Sequence, residues 1–177
     1  SINENIKDGI SANFNSDGFI KPDVINMITD GKFTESLTSP RSSLEYSAVH
    51  NASSNSEYPC SIDMKSGNID ENDILSTLDN GIYISNLWYL NFSDRNNGRM
   101  TGLTRFGCFI VENGKLVAPI NTMRFDGSAY SMLGENLGGL TRKREMLIDS
   151  STYEERSTSS SRLPGAIINN FTNQYKP

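Results

Sequence analysis

Residues 108–120 of the sequence read CFIVENGKLVAPI, two apolar runs that flank the dipeptide Asn113-Gly114. Asn-Gly is the residue pair that best tolerates the positive φ angles of a two-residue hairpin turn. Pro119 has no backbone N–H, so it indicates the end of a strand or an exposed sheet edge. This stretch therefore predicts a β-hairpin, and with it a domain built on antiparallel strands.

The same pattern occurs nearer the start of the sequence. Residues 24–29 and 32–37 flank Asp30-Gly31, a second dipeptide that accepts positive φ at both turn positions. This segment predicts a second hairpin. Residues 82–90, IYISNLWYL, are rich in β-branched and aromatic residues, which favour strands. We expect them to form a largely buried strand at the centre of the core.

Two segments carry helix signals. Residues 70–78 begin with Asp70 as a candidate N-cap, place acidic residues in the first turn and end shortly before Gly81. Residues 126–133 predict one or two capped helical turns. Both predicted helices are short, because each apolar pattern lasts for fewer than three turns.

The polar composition favours loops and strands over long helices. The sequence contains 24 Ser and 20 Asn, about a quarter of its 177 residues, and both types prefer turns and caps. Residues 150–161, rich in Ser, Thr and Glu, predict a mobile loop before a last strand at residues 166–171. We therefore expect an α+β fold, mainly antiparallel β in sandwich or barrel-like sheets, with one or two short helices.

Charge and length limit the possible partners. The sequence has 16 Lys and Arg against 21 Asp and Glu, a net charge of −5, which disfavours direct nucleic-acid binding. No apolar run approaches the roughly 20 residues of a spanning helix, and no signal peptide is recognisable, so we expect a cytoplasmic protein without membrane association. The length fits a single domain over residues 1–177. Because Ser1 is not an initiator Met, we expect an N-terminal region of the parent protein to be absent.

Few side chains could carry out chemistry. The sequence has two Cys and one His, too few for a zinc site with paired histidines. His50 lies in a polar segment, where a solvated side chain is favoured over a ligand or base. Cys108 follows Arg105 and could be an activated nucleophile if a base came close, but a buried structural thiol is favoured. Cys60 and Cys108 are expected to be separate reduced thiols, although a disulfide is the alternative.

The remaining charged groups have ordinary explanations. Arg95 and Arg99 could clamp an anion, although a solvated turn explains them as well. Residues 142–144, Arg-Lys-Arg, are too short a basic run to indicate nucleic-acid binding. Helix capping and solvation account for the carboxylate pairs at residues 70 and 73 and at residues 154 and 155. The sequence thus predicts no catalytic, cofactor-binding or metal-ligating residue in this chain.

An ordered set of segments resembles the C-terminal domain of the TldD/PmbA family. The set consists of residues 79–92, 99–105, 109–120 and 124–126, with weaker likenesses at residues 15–18 and 163–168. Each segment alone is common, but their order is specific, and together they cover nearly the whole chain from about Phe14. The residues in these segments are more similar to the PmbA side of the family, which is also called TldE.

The resemblance implies a cytoplasmic metallopeptidase family, once called modulators of DNA gyrase. In this family a TldD-type subunit carries zinc and pairs with a PmbA/TldE-type subunit to degrade or mature peptides. TldD-type chains have a His-Glu-x-x-x-His helix and a Cys shortly before the last Leu-Pro. This sequence has no such helix, and alignment on Leu163-Pro164 puts Arg156 near the expected Cys. Arg cannot coordinate zinc.

We therefore expect a non-catalytic, PmbA/TldE-type C-terminal domain that contributes dimerisation and a peptide-holding cavity. It would bind no cofactor itself, and zinc would belong to the catalytic partner. The expected partners are a second copy or a TldD-like chain, together with peptide substrates. Two alternatives remain: a β-sandwich module that binds a glycan or similar ligand through exposed aromatic residues including Trp88, and a cysteine-dependent hydrolase that uses Cys108 and His50.

Overall fold

The computed structural model describes residues 1–153 and 156–171, which divide into two compact units. The first unit contains residues 1–66 and 144–164, and the second contains residues 67–143 and the segment that starts at Gly165. The expectation of one domain over residues 1–177 stays a prediction. No helix among the described residues is long and apolar enough to cross a membrane.

A mainly antiparallel sheet forms the first unit. Its strands are β1 (Ile2–Asn5), β2 (Val24–Thr29), β3 (Lys32–Phe33) and β4 (Ser61–Met64), joined by parts of β9 (Leu137–Ile148) and β10 (Ser160–Ile168) in the order β3-β2-β1-β4-β10-β9. β1 pairs antiparallel with β2 and β4, whereas β4 and β10 are parallel. Ile6, Ile25 and Ala52 are buried apolar residues of this unit.

The hairpin predicted at Asp30-Gly31 is confirmed. Asp30 and Gly31 have φ angles of 50° and 79°, as a two-residue turn between β2 and β3 requires. The second strand is shorter than expected and ends at Phe33. A helix that we did not predict, α1 (Pro40–Tyr46), follows. Its start is encoded locally, because the Ser39 hydroxyl accepts a hydrogen bond from the Ser42 amide and Pro40 occupies the first turn.

The second unit contains a four-stranded sheet. Its strands are β5 (Gly81–Asp94), β6 (Arg99–Glu112), β7 (Lys115–Pro119) and β8 (Arg124–Ser128). β6 pairs with β5 along one side, and with β7 and β8 at different points along the other. The predicted hairpin at Asn113-Gly114 joins β6 to β7, with φ angles of 50° and 72°. Phe125 and Val111 are fully buried in this unit.

Three short segments of helix complete the second unit. Asp70 caps a 3-10 turn (Glu71–Asp73) that leads into α2 (Ile74–Leu78), so the prediction for residues 70–78 holds in position and capping residue. The capped helical turn predicted within residues 126–133 is present as α3 (Ala129–Leu133), which Ser128 caps, while Asp126 lies in β8. The α+β class with mainly antiparallel strands is confirmed, with one more helix among the described residues than expected.

Two further strand predictions need correction. Residues 82–90 do form a strand, but β5 lies at the edge of its sheet and exposes Trp88, Tyr89 and Leu90. Composition predicts a strand without saying whether another element covers it, which is why burial was wrongly inferred. The last strand, β10, begins at Ser160 and not at residue 166. Residues 154 and 155 of the predicted loop lie outside the described residues.

Candidate functional site

The structure places Cys108 in a protected position within the second unit. It lies in β6 opposite Ile84 of β5, and only 3% of its surface is exposed. Its thiol donates a weak hydrogen bond to the carbonyl oxygen of Arg105 at 3.6 Å. Cys60, half-buried in the first unit, is also a free thiol. These surroundings are those of a structural cysteine in a strand, because a reactive thiolate needs partial exposure and a cationic neighbour.

His50 has a local structural role in the first unit. Its Nδ1 accepts a hydrogen bond from the Ala52 amide at 3.3 Å, and its ring meets Phe19 edge-on with 5.1 Å between centroids. Ala52 itself is buried and has a φ of 58°. The imidazole therefore supports a strained backbone turn, which is a reason for a histidine here that involves no ligand.

Arg99 is held by an ion pair and does not project freely from the predicted turn. Its Nε lies 2.6 Å from Asp126 of β8, two residues before Ser128, the register partner of Arg99. Asp94, the acidic residue of that turn, instead accepts hydrogen bonds from Asn96 and Asn97. The side-chain hydrogen bond from Asn97 is the largest of several effects that lower the pKa of Asp94. The segment is thus a self-contained turn.

The basic run at residues 142–144 does not form one patch. Arg142 reaches Asp70 at 3.8 Å in the second unit, and the Lys143 amide donates to Glu71 at 2.7 Å. Arg144, in the first unit, pairs with Asp63. Of the two carboxylate pairs named in the sequence analysis, Asp70 and Asp73 are explained by helix capping. Glu154 and Glu155 lie outside the described residues.

A buried carboxylate in the first unit was missed by the sequence analysis. Asp63 lies in β4 with 9% of its side chain exposed, and it forms ion pairs with both Arg144 and Arg162. The Asn5 side-chain amide donates to Asp63 Oδ2 at 2.9 Å. Arg162 also donates to Asp8 at 3.1 Å. The signal was an acidic residue at an inward position of a strand, but the strand itself is only four residues long and was not recognised.

This cluster balances two positive charges against two negative charges. Burial raises the pKa of Asp63, but the hydrogen bonds from Arg162 and Asn5 and the charge of Arg144 outweigh burial, so its pKa lies below the usual value. The carboxylate is therefore ionised and fully occupied by its partners. A carboxylate that is neutralised by two guanidiniums holds strands together and is poorly suited to binding a substrate.

A cavity of about 280 Å³ lies beside this cluster. Its walls include Asn3, Asn26, Lys65 and Arg144. The Oδ1 atom of Asn3 is buried and has no hydrogen-bond donor among the described residues. The cavity wall thus combines amide and cationic side chains with the carboxylate of Asp63.

Exposed aromatic residues crowd the long hairpin of the second unit. Trp88, Tyr89 and Phe92 of β5 are 43%, 69% and 59% exposed. The Arg105 guanidinium of β6 lies 4.5 Å from the centroid of the Trp88 ring and 5.1 Å from that of Phe106. This arrangement is a cation–π contact, which fixes the Trp88 ring at the surface. Trp, Tyr and Arg are the residues that contribute most often to protein interfaces.

Two of the three register shifts along the β5–β6 pair lie among these aromatic residues. The register shifts between Trp88 and Asn91 on β5 and between Arg105 and Cys108 on β6. Tyr89 and Phe106, each within one of these shifts, have φ angles of 51° and 61°. Positive φ is unfavourable for aromatic residues, and bulges re-aim side chains. We missed this feature because bulges depend on strand pairing and have no signal in residues 82–90 alone.

The described residues contain no group of three or more His, Cys, Asp or Glu side chains positioned to hold a metal ion. The individual candidates also fit a metal poorly: Cys108 is enclosed, His50 is engaged with the backbone, and Asp63 is neutralised by two guanidiniums. Arg156, which stands near the position of a family zinc ligand, has no lone pair to donate.

One comparison with known proteins identifies a family. The sequence profile described as PmbA/TldA metallopeptidase C-terminal domain matches residues 6–174. No curated protein matches the sequence.

Solved structures show the same fold at low sequence identity. TldE from Thermococcus kodakarensis is 14% identical with a TM-score of 0.77, and the match covers 97% of this chain and 39% of that one. A proposed modulator of DNA gyrase from Thermotoga maritima is 12% identical, with a TM-score of 0.72 over 96% of this chain and 37% of that one. A proposed gyrase modulator from Bacteroides thetaiotaomicron is 14% identical, with a TM-score of 0.74 over 97% and 36%. The chain spans less than two fifths of each of these proteins.

Proposed function

Because the chain belongs to the PmbA/TldA metallopeptidase C-terminal domain family, we propose that it acts as the non-catalytic, PmbA/TldE-type part of a paired peptidase. In this role it binds a partner chain and helps to hold a peptide, while a TldD-like partner supplies zinc. The resemblance of residues 79–126 to the PmbA side of the family supports the assignment to this subunit type.

The observation that carries the proposal is the exposed aromatic surface of β5. Trp88, Tyr89 and Phe92 lie on one strand with 43% or more of their surface in water. Large apolar patches on a soluble domain mark sites of association, because leaving them hydrated costs free energy. A domain with such a strand, and with no cluster of metal-holding side chains among its described residues, is suited to binding a partner.

The donor chemistry of the chain supports a role without metal. Zinc sites use thiolates, imidazoles and carboxylates that are free to coordinate. Here the Cys108 thiol is buried against a carbonyl oxygen, and the lone pair of His50 Nδ1 accepts an amide hydrogen. We therefore assign no step of peptide hydrolysis to residues of this chain.

The cavity beside Asp63 is the proposed place for a peptide in the first unit. Lys65 on its wall is placed to attract a peptide carboxylate, and the side chains of Asn26 and Thr29 offer hydrogen-bonding groups. This use requires little of the peptide sequence, since backbone groups are common to all peptides.

Metal content and peptide cleavage test the proposal. The purified chain is dialysed against zinc, washed, and analysed by plasma mass spectrometry, and it is then incubated with a mixture of unstructured peptides. We expect far less than one zinc per chain and no cleavage. One tightly bound zinc per chain that is lost in Cys108→Ser, or cleavage that a chelator stops, would overturn the non-catalytic assignment.

The exposed aromatic row also favours a second function, a module that binds a glycan or a similar flat ligand. Trp88 is the single tryptophan of the chain, so its fluorescence reports directly on this surface. A saturable change in Trp88 emission on titration with oligosaccharides would support this function. Tyr89→Ala keeps the fluorophore and should abolish the change through loss of binding, whereas Trp88→Phe abolishes it only through loss of the signal. An unchanged spectrum would count against glycan binding and favour the partner-binding function.

A further inference from the structure

The cavity of the first unit is built on one face of its sheet. Asn3 of β1 is the register partner of both Asn26 of β2 and Asp63 of β4. Register partners on adjacent strands place their side chains on the same face of a sheet. Lys65 follows Asp63 by two positions, and its amide donates to the Ser1 carbonyl oxygen at 3.0 Å, so it continues this face past the end of β4. Strands that hydrogen-bond to one another therefore hold the cavity wall in a fixed register.

Positive charges outnumber negative charges on the cavity wall. Lys65 and Arg144 are cationic, and Asp63 is the single carboxylate among the lining residues. That carboxylate is already shared between Arg144 and Arg162, and it accepts a hydrogen bond from Asn5. Lys65 is exposed and forms no ion pair among the described residues. An excess of positive charge in a chain with a net charge of −5 indicates a cavity suited to an anion.

The neutral groups on the wall indicate which kind of anion fits. Asn3 and Asn26 contribute carboxamides and Thr29 contributes a hydroxyl group, and these groups bond to backbone amides as well as to carboxylate oxygens. The volume of about 280 Å³ is roughly nine times the share of one water molecule in the liquid, so the cavity can admit more than a carboxylate. Such a lining suits the end of a peptide, where two carboxylate oxygens lie beside the last backbone amide.

We propose that this cavity holds the C-terminal carboxylate of a bound peptide, with Lys65 as its main charged contact and Arg144 as the second. The inference rests on the peptide-holding role proposed above and assigns the part of the peptide that is recognised. Arg144 can serve two anions, because its hydrogen bonds to Asp63 and to the Met64 carbonyl oxygen both come from Nη1. Its Nε and Nη2 atoms keep N–H groups for a ligand.

Fluorescence anisotropy with three labelled peptides tests the inference. The probes are a pentapeptide of Gly, Ala and Ser with a free C-terminus, the same peptide with a C-terminal amide, and that amide with a central Glu. We expect the free acid to bind at least ~10-fold more tightly than the plain amide, because the amide lacks the charge-assisted hydrogen bonds. The Glu-containing amide should remain weaker than the free acid, since its carboxylate has peptide chain on both sides.

Two matched lysine variants locate the binding. Lys65→Gln removes one charge from the wall, and Lys7→Gln removes the same charge from an exposed position of the first unit that does not line the cavity. Lys65→Gln should weaken binding of the free acid on the order of 5-fold without affecting the amide, whereas Lys7→Gln should change neither. Both lysines are exposed, so both variants should unfold at the urea concentration of the unmodified chain.

Four results would overturn the inference and leave the peptide-holding role standing. They are equal affinities for the free acid and the plain amide, a Glu-containing amide that binds as tightly as the free acid, a Lys65→Gln variant that binds like Lys7→Gln, and displacement of the peptide by inorganic phosphate where acetate has no effect. Absence of binding by all three peptides would contradict both the inference and the peptide-holding role. The zinc and cleavage measurements judge the non-catalytic assignment separately.

Discussion

The guanidinium of Arg162 donates two hydrogen bonds to the same carboxylate oxygen, Asp63 Oδ2, one of them from Nε at 3.2 Å. The two residues lie 99 positions apart in the sequence and on adjacent parallel strands, β4 and β10. Arg162 is directly opposite Asp63 in the register of these strands. The pair therefore joins the beginning and the end of the first unit, and its charges are largely removed from water.

Removal of the Asp63 charge should destabilise the chain. Asp63→Asn leaves Arg144 and Arg162 without their shared counter-ion, and breaking a buried pair typically costs ~3–5 kcal/mol. We expect about 2–3 kcal/mol, because each guanidinium keeps a quarter or more of its surface in water. Urea unfolding measures the loss. Asp17→Asn, at an exposed position, is the control and should change the free energy of unfolding by less than ~0.5 kcal/mol.

The same pair predicts a dependence of stability on pH. The pKa of Asp63 in the folded chain lies below its ordinary value, because the contacts with Arg162, Asn5 and Arg144 outweigh burial. A lowered carboxylate pKa contributes stability that is present above the unfolded pKa of about 3.9 and is lost as the pH falls through the folded pKa. Below pH ~4 the free energy of unfolding should thus fall more steeply in the unmodified chain than in Asp63→Asn. Equal slopes for the two proteins would contradict this assignment.

Gly102 of β6 should not tolerate a side chain. A Cβ at this position would lie 2.8 Å from side-chain atoms of Leu90 and Phe125 and 3.0 Å from the Trp88 carbonyl oxygen. Gly102→Ala should lower the free energy of unfolding by ~1–3 kcal/mol through overpacking. Gly127→Ala is a suitable comparison, because its Cβ would meet nothing closer than Met132 at 3.8 Å. Thermal unfolding of both variants checks the difference, and equal midpoints would show that the sheet relaxes at Gly102.

Thiol labelling should distinguish the two cysteines. Cys108 is 3% exposed, so it should react with iodoacetamide only when the second unit opens, whereas the half-buried Cys60 should react earlier. Peptide mapping after timed quenching gives both rates in one sample. Denaturant should raise the rate of Cys108 by orders of magnitude. Fast, pH-dependent alkylation of Cys108 in the folded chain would instead favour the cysteine-dependent hydrolase.

Local sequence signals predicted local structure well. Asp30-Gly31 and Asn113-Gly114 form the expected turns because positive φ is a property of the turn residues themselves. Asp70 caps its helical turn for the same reason, since a cap needs only neighbouring amides. Ser39-Pro40 carried an equally local signal for α1, which the sequence analysis did not use.

Features that join distant segments could not be predicted. Nothing near residue 63 indicates that Arg144 and Arg162 lie beside it, because that contact requires the strand order β4-β10-β9. Likewise, the apolar sequence of residues 82–90 is equally compatible with a central strand and with an edge strand. The position of β5 at an edge follows from which strands pair with β6.

The sequence by itself determined the family, the antiparallel class, both tight turns and the shortage of metal-binding side chains, since each depends on residue identity or on interactions within a few positions. Tertiary structure alone decided which charges are buried together and which apolar strand remains uncovered. Burial is a property of the surroundings of a side chain, and those surroundings come from segments that are far apart in the chain. For this reason the Asp63 cluster and the exposed edge of β5 became visible only in the folded protein.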